Sequence, residues 1–550
     1  MHPDRENSDP DDPTQGSLSR RFALATLLTA GTALIPGRST DAREVKQGII
    51  DASAYGVVAD GHTDDAPALL RAVTAMANGS VLNLPAGTMA LGSIGWSGIL
   101  IRRLIHIRIQ GNATVLKWLA QPSQSTAGFG PTGLRLHECR HTIIADITID
   151  GNGVDCIGLG LDTCTSCVVQ RIEAYAHGVA KQSSAGQFAS SKGTDNRWQD
   201  CVARDATPGS QVRGFYLGNA NSGWGDTDLK IDGCAARRNT ATGFAIEAVR
   251  MVCVNCVSEN NGGAGFTSST ANGSPSTDHI FQGNVARQNA FHGWQTDVYG
   301  PNAERVALTG NILSDNAFSG VYCNKGTSIS VVGNVITGNG RETASPAIAV
   351  IMSDGVTMSN NIIEGDASHG VCIGFNFAPS RVSDVIIASN LCRGSMSKTV
   401  WIEASEASSS VQRVVASGNI IRGGSHGIHV GTSAPGARVD DVTIANNIVD
   451  QSRAASYSVS DHAVGQSTNV RLVGNVGTAA SLSPNVRLAE EKENSWNAYR
   501  GEGKGAPAQG TWQRGDTIYN SAPSTGSPIG WVCTASGEPG TWSRFGTIGA

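Results

Sequence analysis

The chain has 550 residues, 67 of them glycine, with charged residues at 16 % and a formal net charge of −5. Glycine well above the usual ~7 % and charge well below the usual quarter describe a turn-rich chain of short apolar segments with few windows of helical periodicity. The small net charge argues against a general nucleic-acid binder, which needs a basic surface.

Residues 1–18 are polar, acidic and proline-rich, and read as a disordered leader. From Ser19 to Gly37 the chain reads SRRFALATLLTAGTALIPG. Its apolar run of about 14 residues is too short to span a bilayer. Arg20 and Arg21 ahead of it resemble a bacterial twin-arginine export signal, with an ordinary secretory signal as the alternative. Leader and signal together are assigned to 1–42, which implies a periplasmic or secreted protein. No later segment is long and apolar enough for a membrane span.

The region 43–98 reads as an N-terminal cap. Asp60-Gly61 is a turn signal, Thr63, Asp64 and Asp65 are suited to cap a following helix, and Pro67 suits its first turn. Leu69, Leu70, Val73 and Met76 give that helix one apolar stripe. GSVLNLPAGTM then reads as a strand and a turn. The stretch YGVVADGHTDDAPALLRAV, followed by VLNLPAGT, resembles the opening segment of the pectate-lyase-like superfamily. That group includes rhamnogalacturonase and polygalacturonase relatives, epimerase-like proteins and phage tailspikes. The resemblance implies an all-β fold, a single-stranded right-handed parallel β-helix with an N-terminal capping helix. It does not imply a particular reaction. The aspartates are assigned to capping and turns, because a solenoid must cover its open apolar end.

From 99 to 484 the chain repeats. Asn284, Asn311, Asn334, Asn361, Asn390, Asn419, Asn447 and Asn475 recur at intervals of 23 to 29 residues, and Cys256, Cys234 and Cys201 occupy the same slot before them. Such a period marks a solenoid, and buried turn asparagines bond to one another and to nearby backbone. A second register follows a small-residue slot. Its first position holds Phe215, Phe244, Phe266, Trp294, Val321, Ile348, Val371, Val400 and Ile428, all apolar and so inward. Alternation turns the second and fourth positions outward. The twelve cysteines belong to an exported chain, where disulfides are permitted, but Cys164-x-x-Cys167 and Cys253-x-x-Cys256 read as buried stacking residues and not as a metal site. The region 485–550 reads as a linker and a small β-rich module in which Trp512, Trp531 and Trp542 serve as core, oligomer contact or sugar platform.

The outward columns are the candidate site. The second position reads Tyr216, Ala245, Thr267, Gln295, Tyr322, Ala349, Cys372, Trp401 and His429; the fourth includes Gly218, Glu247, Ser269, Asp297, Asn324 and Glu403. Aromatic and acidic groups on adjacent coils suit a sugar chain, through ring stacking and acid–base chemistry. Glu247 and Asp297 stand two coils apart, about 9.6 Å at the backbone at ~4.8 Å per coil. Inverting glycosidases hold two carboxyls roughly 6.5–9.5 Å apart. Glu247 and Asp297 are therefore the expected general acid and base, with Tyr216, Gln295, Tyr322, Asn324, Lys325 and His292 as substrate-binding residues and no cofactor. WQTD at Trp294–Asp297 is similar to the Asn-Thr-Asp element of polygalacturonases, but the elements that follow it in that family are missing. The alternatives are a lyase, with Tyr322, Lys325 and His292 in β-elimination and Ca²⁺ on Glu247 and Asp297, or a glycan-binding spine without chemistry. The expected partner is a polysaccharide, with no nucleic acid and no stable membrane insertion, and the expected state a monomer or homotrimer.

Overall fold

The computed structural model describes residues 48–549 except 96–97, 123–129, 179–185, 219–224, 269–275, 297–302, 341–342, 366–367, 375–378, 395, 479, 497–499, 511 and 513. The export-signal region therefore lies outside the described residues, and so does Asp297.

Short apolar strands separated by small residues and turns stack as coils of a parallel solenoid. A 15-stranded sheet runs from Ile99–Arg102 to Ala480–Leu482, and each strand pairs only with the coils before and after it. A 33-stranded sheet takes up the other strands of the coils. The register in the 15-stranded sheet follows the expected columns without a slip: Phe215 pairs with Phe244, Phe244 with Phe266, Phe266 with Trp294 and Trp294 with Val321. Tyr322 pairs with Ala349, Ala349 with Cys372, Cys372 with Trp401 and Trp401 with His429.

The first-position residues are buried and stacked. The rings of Phe215 and Phe244 lie 4.6 Å apart with planes 4° apart, and Phe244 and Phe266 lie 4.9 Å apart at 12°. The asparagine ladder follows the same logic in polar groups. Oδ1 of Asn311 accepts from the backbone N–H of Asn284 at 2.9 Å and from its Nδ2 at 3.2 Å, while that Nδ2 also donates to the carbonyl of Cys253. The pattern repeats to Asn475 and continues to Asn494. On the cysteine side, Oδ1 of Asn284 accepts from the backbone N–H of Cys256 at 2.8 Å. All twelve cysteines are buried and unpaired in disulfides. A second ladder, not singled out from the sequence, links Asn239, Asn261, Asn289, Asn316 and Asn339 at another bend. Outside, arginines and aspartates on neighbouring coils pair along a ridge, as in Arg171–Asp146, Arg250–Asp228, Arg305–Asp278 and Arg413–Asp384.

The helix Ala66–Thr74 begins at Asp65 and carries Pro67 in its first turn. Asp64, not Asp65, takes the N–H of Ala66, and it also accepts from Gly92 and Ser93. The carboxylate of Asp65 accepts from Val58 and Ala59 instead, pinning the preceding loop. Asp60 closes its turn on His62 and Thr63. At the other end, Glu490–Lys492 and Ser495–Trp496 still pair in parallel with the preceding coil, where the sequence suggested a linker. Their polarity misled because a last coil has a neighbour on one side only. Arg500–Gly503, Thr517–Asn520, Gly530–Ala535 and Thr541–Phe545 form a separate four-stranded sheet. There Trp512 and Trp542 meet edge to face at 5.2 Å, and Trp531 is buried.

Candidate functional site

The second and fourth columns face away from the core, yet they are mostly covered. Tyr216, Glu247, Asn324, Trp401 and His429 expose between 4 and 8 % of their surface. Stacking explains this: each outward side chain has neighbours about 4.8 Å above and below it. Tyr216 donates its hydroxyl to Oε1 of Glu247 at 3.2 Å, and the Arg213 guanidinium lies 4.6 Å from the Tyr216 ring centre.

Further along the same columns the face opens into a cavity of about 500 Å³, within the usual range of small-molecule clefts. Its floor is Gln295, Tyr322, Ala349, Cys372 and Trp401, the second column itself. Its walls come from the bends at Phe291, His292, Phe318 and Pro346 and from His369 at the start of the strand His369–Ile373. His292 lies flat on Tyr322, with ring centres 4.3 Å apart. Nδ1 of His292 accepts from the Ser319 backbone N–H at 3.1 Å, which leaves the proton on Nε2. Burial drives the His292 imidazole down to about 3, so it stays neutral. Burial pushes the Tyr322 phenol up from its ordinary value, and its oxygen accepts from Nδ2 of Asn324 at 3.4 Å. Oε1 of Gln295 and Oδ1 of Asn324 are buried without a partner.

At the far end Trp401 is held from three sides. The His369 ring lies 4.2 Å from it with planes tilted by 31°, the Lys398 ammonium sits 4.1 Å over it, and its indole N–H donates to Glu403. Glu403 also takes Lys398 at 3.1 Å and stands 3.4 Å from Nε2 of His429. Burial works to raise the Glu403 carboxyl. Hydrogen bonds from His429, Ser433 and Trp401 and the charge of Lys398 outweigh it and hold the group at about 2. Glu403 is thus a fixed anion that locks the tryptophan in place.

A right-handed β-helix region model matches residues 281–477. The chain is a right-handed parallel β-helix. The match agrees with the pectate-lyase-like resemblance of the opening segment. No curated protein matches the chain. Solved structures with a similar course include the N-terminal fragment of bacteriophage Phi29 gene product 12, at 14 % identity and TM-score 0.48, covering 82 % of this chain and 75 % of that one. Tailspike protein 3 of bacteriophage CBA120 aligns at 12 % identity and TM-score 0.45, over 90 % and 68 %. The A-module of an Azotobacter vinelandii mannuronan C-5 epimerase aligns at 18 % identity and TM-score 0.41, over 76 % and 99 %.

The β-helix brings Gln295, Tyr322 and His292 into one cavity, with Asn324 beside it. Tyr216 and Glu247 form a second group on earlier coils. Lys325 sits at the bend after its strand with φ 57°, away from the cavity lining. Trp401, Glu403 and His429 stand in the sequence columns, beyond the residues the sequence assigns to the site; Lys398 and His369 reach the site from just outside the columns. Glu247 and Glu403 are six coil steps apart, about 29 Å, too far to act on one bond. Among the described residues no group of three or more His, Cys, Asp or Glu is placed to hold a metal ion.

Proposed function

We propose that the protein is an exported polysaccharide-active enzyme that binds a glycan along this strand face and hydrolyses it with inversion. Glu247 and Asp297 serve as general acid and general base. One observation carries the reading: a cavity walled and floored by the rings of His292, Tyr322, His369 and Trp401 continues the column of strands that carries Glu247. Aromatic faces bind sugar rings, and a row of coils at ~4.8 Å spacing presents one side chain per step along a chain-like ligand. Register supports the carboxylate pair. Ile246, beside Glu247, pairs with Ser268, and Ser268 pairs with Thr296, the residue before Asp297.

The elimination reading finds less support. It needs a base and a positive group near a uronate. Nδ1 of His292 is already bonded, burial raises the Tyr322 phenol, and Lys325 does not line the cavity. Incubation of the full-length protein with a panel of neutral and uronate polysaccharides separates the outcomes. New reducing ends without ultraviolet absorbance support hydrolysis. Absorbance in the unsaturated-uronate band means elimination, and retention without new ends means binding alone.

A further inference from the structure

We infer that Ser458, His429 and Glu403 form a second hydrolytic site, which cleaves an O-acyl ester carried by a sugar residue of the polysaccharide. The sugar rests on the glycan reading above; the ester chemistry does not. The three residues come from successive coils. Trp401 pairs with His429 and His429 with Ser458 in the second column, and Glu403 stands two positions after Trp401 on its strand. Nδ1 of His429 lies 2.8 Å from Oγ of Ser458, and its Nε2 stands 3.4 Å from Oε2 of Glu403. A carboxylate behind Nε2 keeps the proton there, so Nδ1 presents its lone pair to the serine hydroxyl. This is the order of a nucleophile, its base and the group that orients the base. The core holds a similar bond between Ser268 and Nδ1 of His279, but there Nε2 meets the Ala248 carbonyl and both residues are closed to solvent. Ser458 and His429 lie on the outward column and each expose 7 % of their surface, and Ser481, next in that column, is exposed.

The column sets the substrate. His429 and Ser458 stand one and two coils beyond Trp401, about 4.8 and 9.6 Å away at the backbone. A sugar stacked on the Trp401 ring extends a ring substituent towards Ser458. Oγ of Ser458 bonds to the carbonyl carbon of the ester while its proton passes to Nδ1 of His429. The bond from that carbon to the sugar oxygen breaks, and the sugar oxygen takes the proton from Nδ1. Water then gives a proton to Nδ1 and its hydroxide adds to the acyl carbon, which releases the carboxylic acid and restores Ser458. Charged and titratable groups face His429 from two neighbouring strands: Glu403, Lys398 and His426. Burial lowers the His429 imidazole, and the Glu403 contact opposes this, so the base is neutral at neutral pH. Lys398, with one N–H on Glu403, and His426, its ring 6.4 Å from that of His429, are the donors beside the base for the developing oxyanion.

The full-length protein is treated with a fluorophosphonate, which modifies activated serines, and mapped by peptide mass spectrometry. Acetate release is measured from p-nitrophenyl acetate and from O-acetylated polysaccharides. Modification of Ser458 and release from both kinds of ester are expected. Ser458→Ala and His429→Asn are each expected to lose at least about a hundredfold in ester hydrolysis with the circular dichroism spectrum unchanged. Glu403 is a positioning residue. Glu403→Gln is expected to cost at least about tenfold and to move the acid limb of the pH–rate profile to lower pH, because Glu403 raises the His429 imidazole; a merely structural role leaves that limb in place. An unmodified Ser458, or full hydrolysis by the Ser458→Ala variant, overturns the site and leaves the glycan reading standing. Modified Ser458 with turnover of p-nitrophenyl acetate but no acetate from any polysaccharide overturns the sugar ester as substrate.

Discussion

The imidazole of His292 and the phenol of Tyr322 lie face to face, 4.3 Å apart with planes 15° apart, although they come from successive coils. The pair makes a flat, rigid wall in the cavity without committing Nε2 of the histidine. Removing one ring removes both the stacking surface and the support of the other. An aromatic contact of this kind contributes about 0.5–1.5 kcal/mol beyond its buried area. Tyr322→Ala is expected to weaken binding of the preferred polysaccharide about tenfold by calorimetry, and Tyr322→Phe to retain most of it.

The asparagine ladder carries stability, and adjacent residues test it. Asn361 accepts from the backbone and side chain of Asn334, and its Nδ2 donates to the Val331 carbonyl and to Asn390. Asn361→Ala leaves buried donors and acceptors unmatched on both neighbouring coils. We expect a loss of about 2–4 kcal/mol in urea unfolding. Ile362, the next residue, is an exposed hydrophobe, and Ile362→Ala is expected to cost less than about 1 kcal/mol.

Acid should destabilise the protein in two windows. His279 is fully buried, with Nε2 on the Ala248 carbonyl and Nδ1 on Ser268, and burial lowers it from 6.5 to about 4. The unfolded chain takes up that proton first, so its contribution is complete above pH 6.5 and is lost as pH falls towards 4. Glu403 is lowered from 4.5 to about 2, so its contribution is present above 4.5 and is lost as pH falls through 2. Each amounts to on the order of 3 kcal/mol. Thermal unfolding against pH should show both limbs. Glu403→Gln should flatten part of the lower one and also move the upper one, because Glu403 supports the charged form of His429, while His279→Asn should flatten only part of the upper one.

The repeat made most of the scaffold legible. A ladder asparagine or a first-position phenylalanine recurs because every coil poses the same burial problem, so Phe215, Phe244 and Phe266 align by counting alone. The columns followed, and with them Gln295 and Tyr322. The cavity walls were legible only in part. Pro346 and His369 each stand three residues before the floor residues Ala349 and Cys372, as His292 does before Gln295, but residue type varies so much at that position that the offset carries no signal by itself. The Trp401 group was hidden for a different reason. Glu403 looked like one more outward carboxylate, and its engagement by Lys398, His429 and the indole depends on side-chain reach across coils. Conversely, Lys325 looked available by spacing, but a left-handed backbone at the bend takes it out of the column.

We propose that Glu247 and Asp297 cleave a glycosidic bond on this face. The direct measurement is proton NMR of the full-length protein acting on the polysaccharide it binds, beside Glu247→Gln and Asp297→Asn. The first anomeric signal of the product is expected to have inverted configuration. Each variant is expected to lose at least about a hundredfold in rate while still binding, as for removal of a general acid or base. Full activity in both variants, or a product of retained configuration, would contradict it.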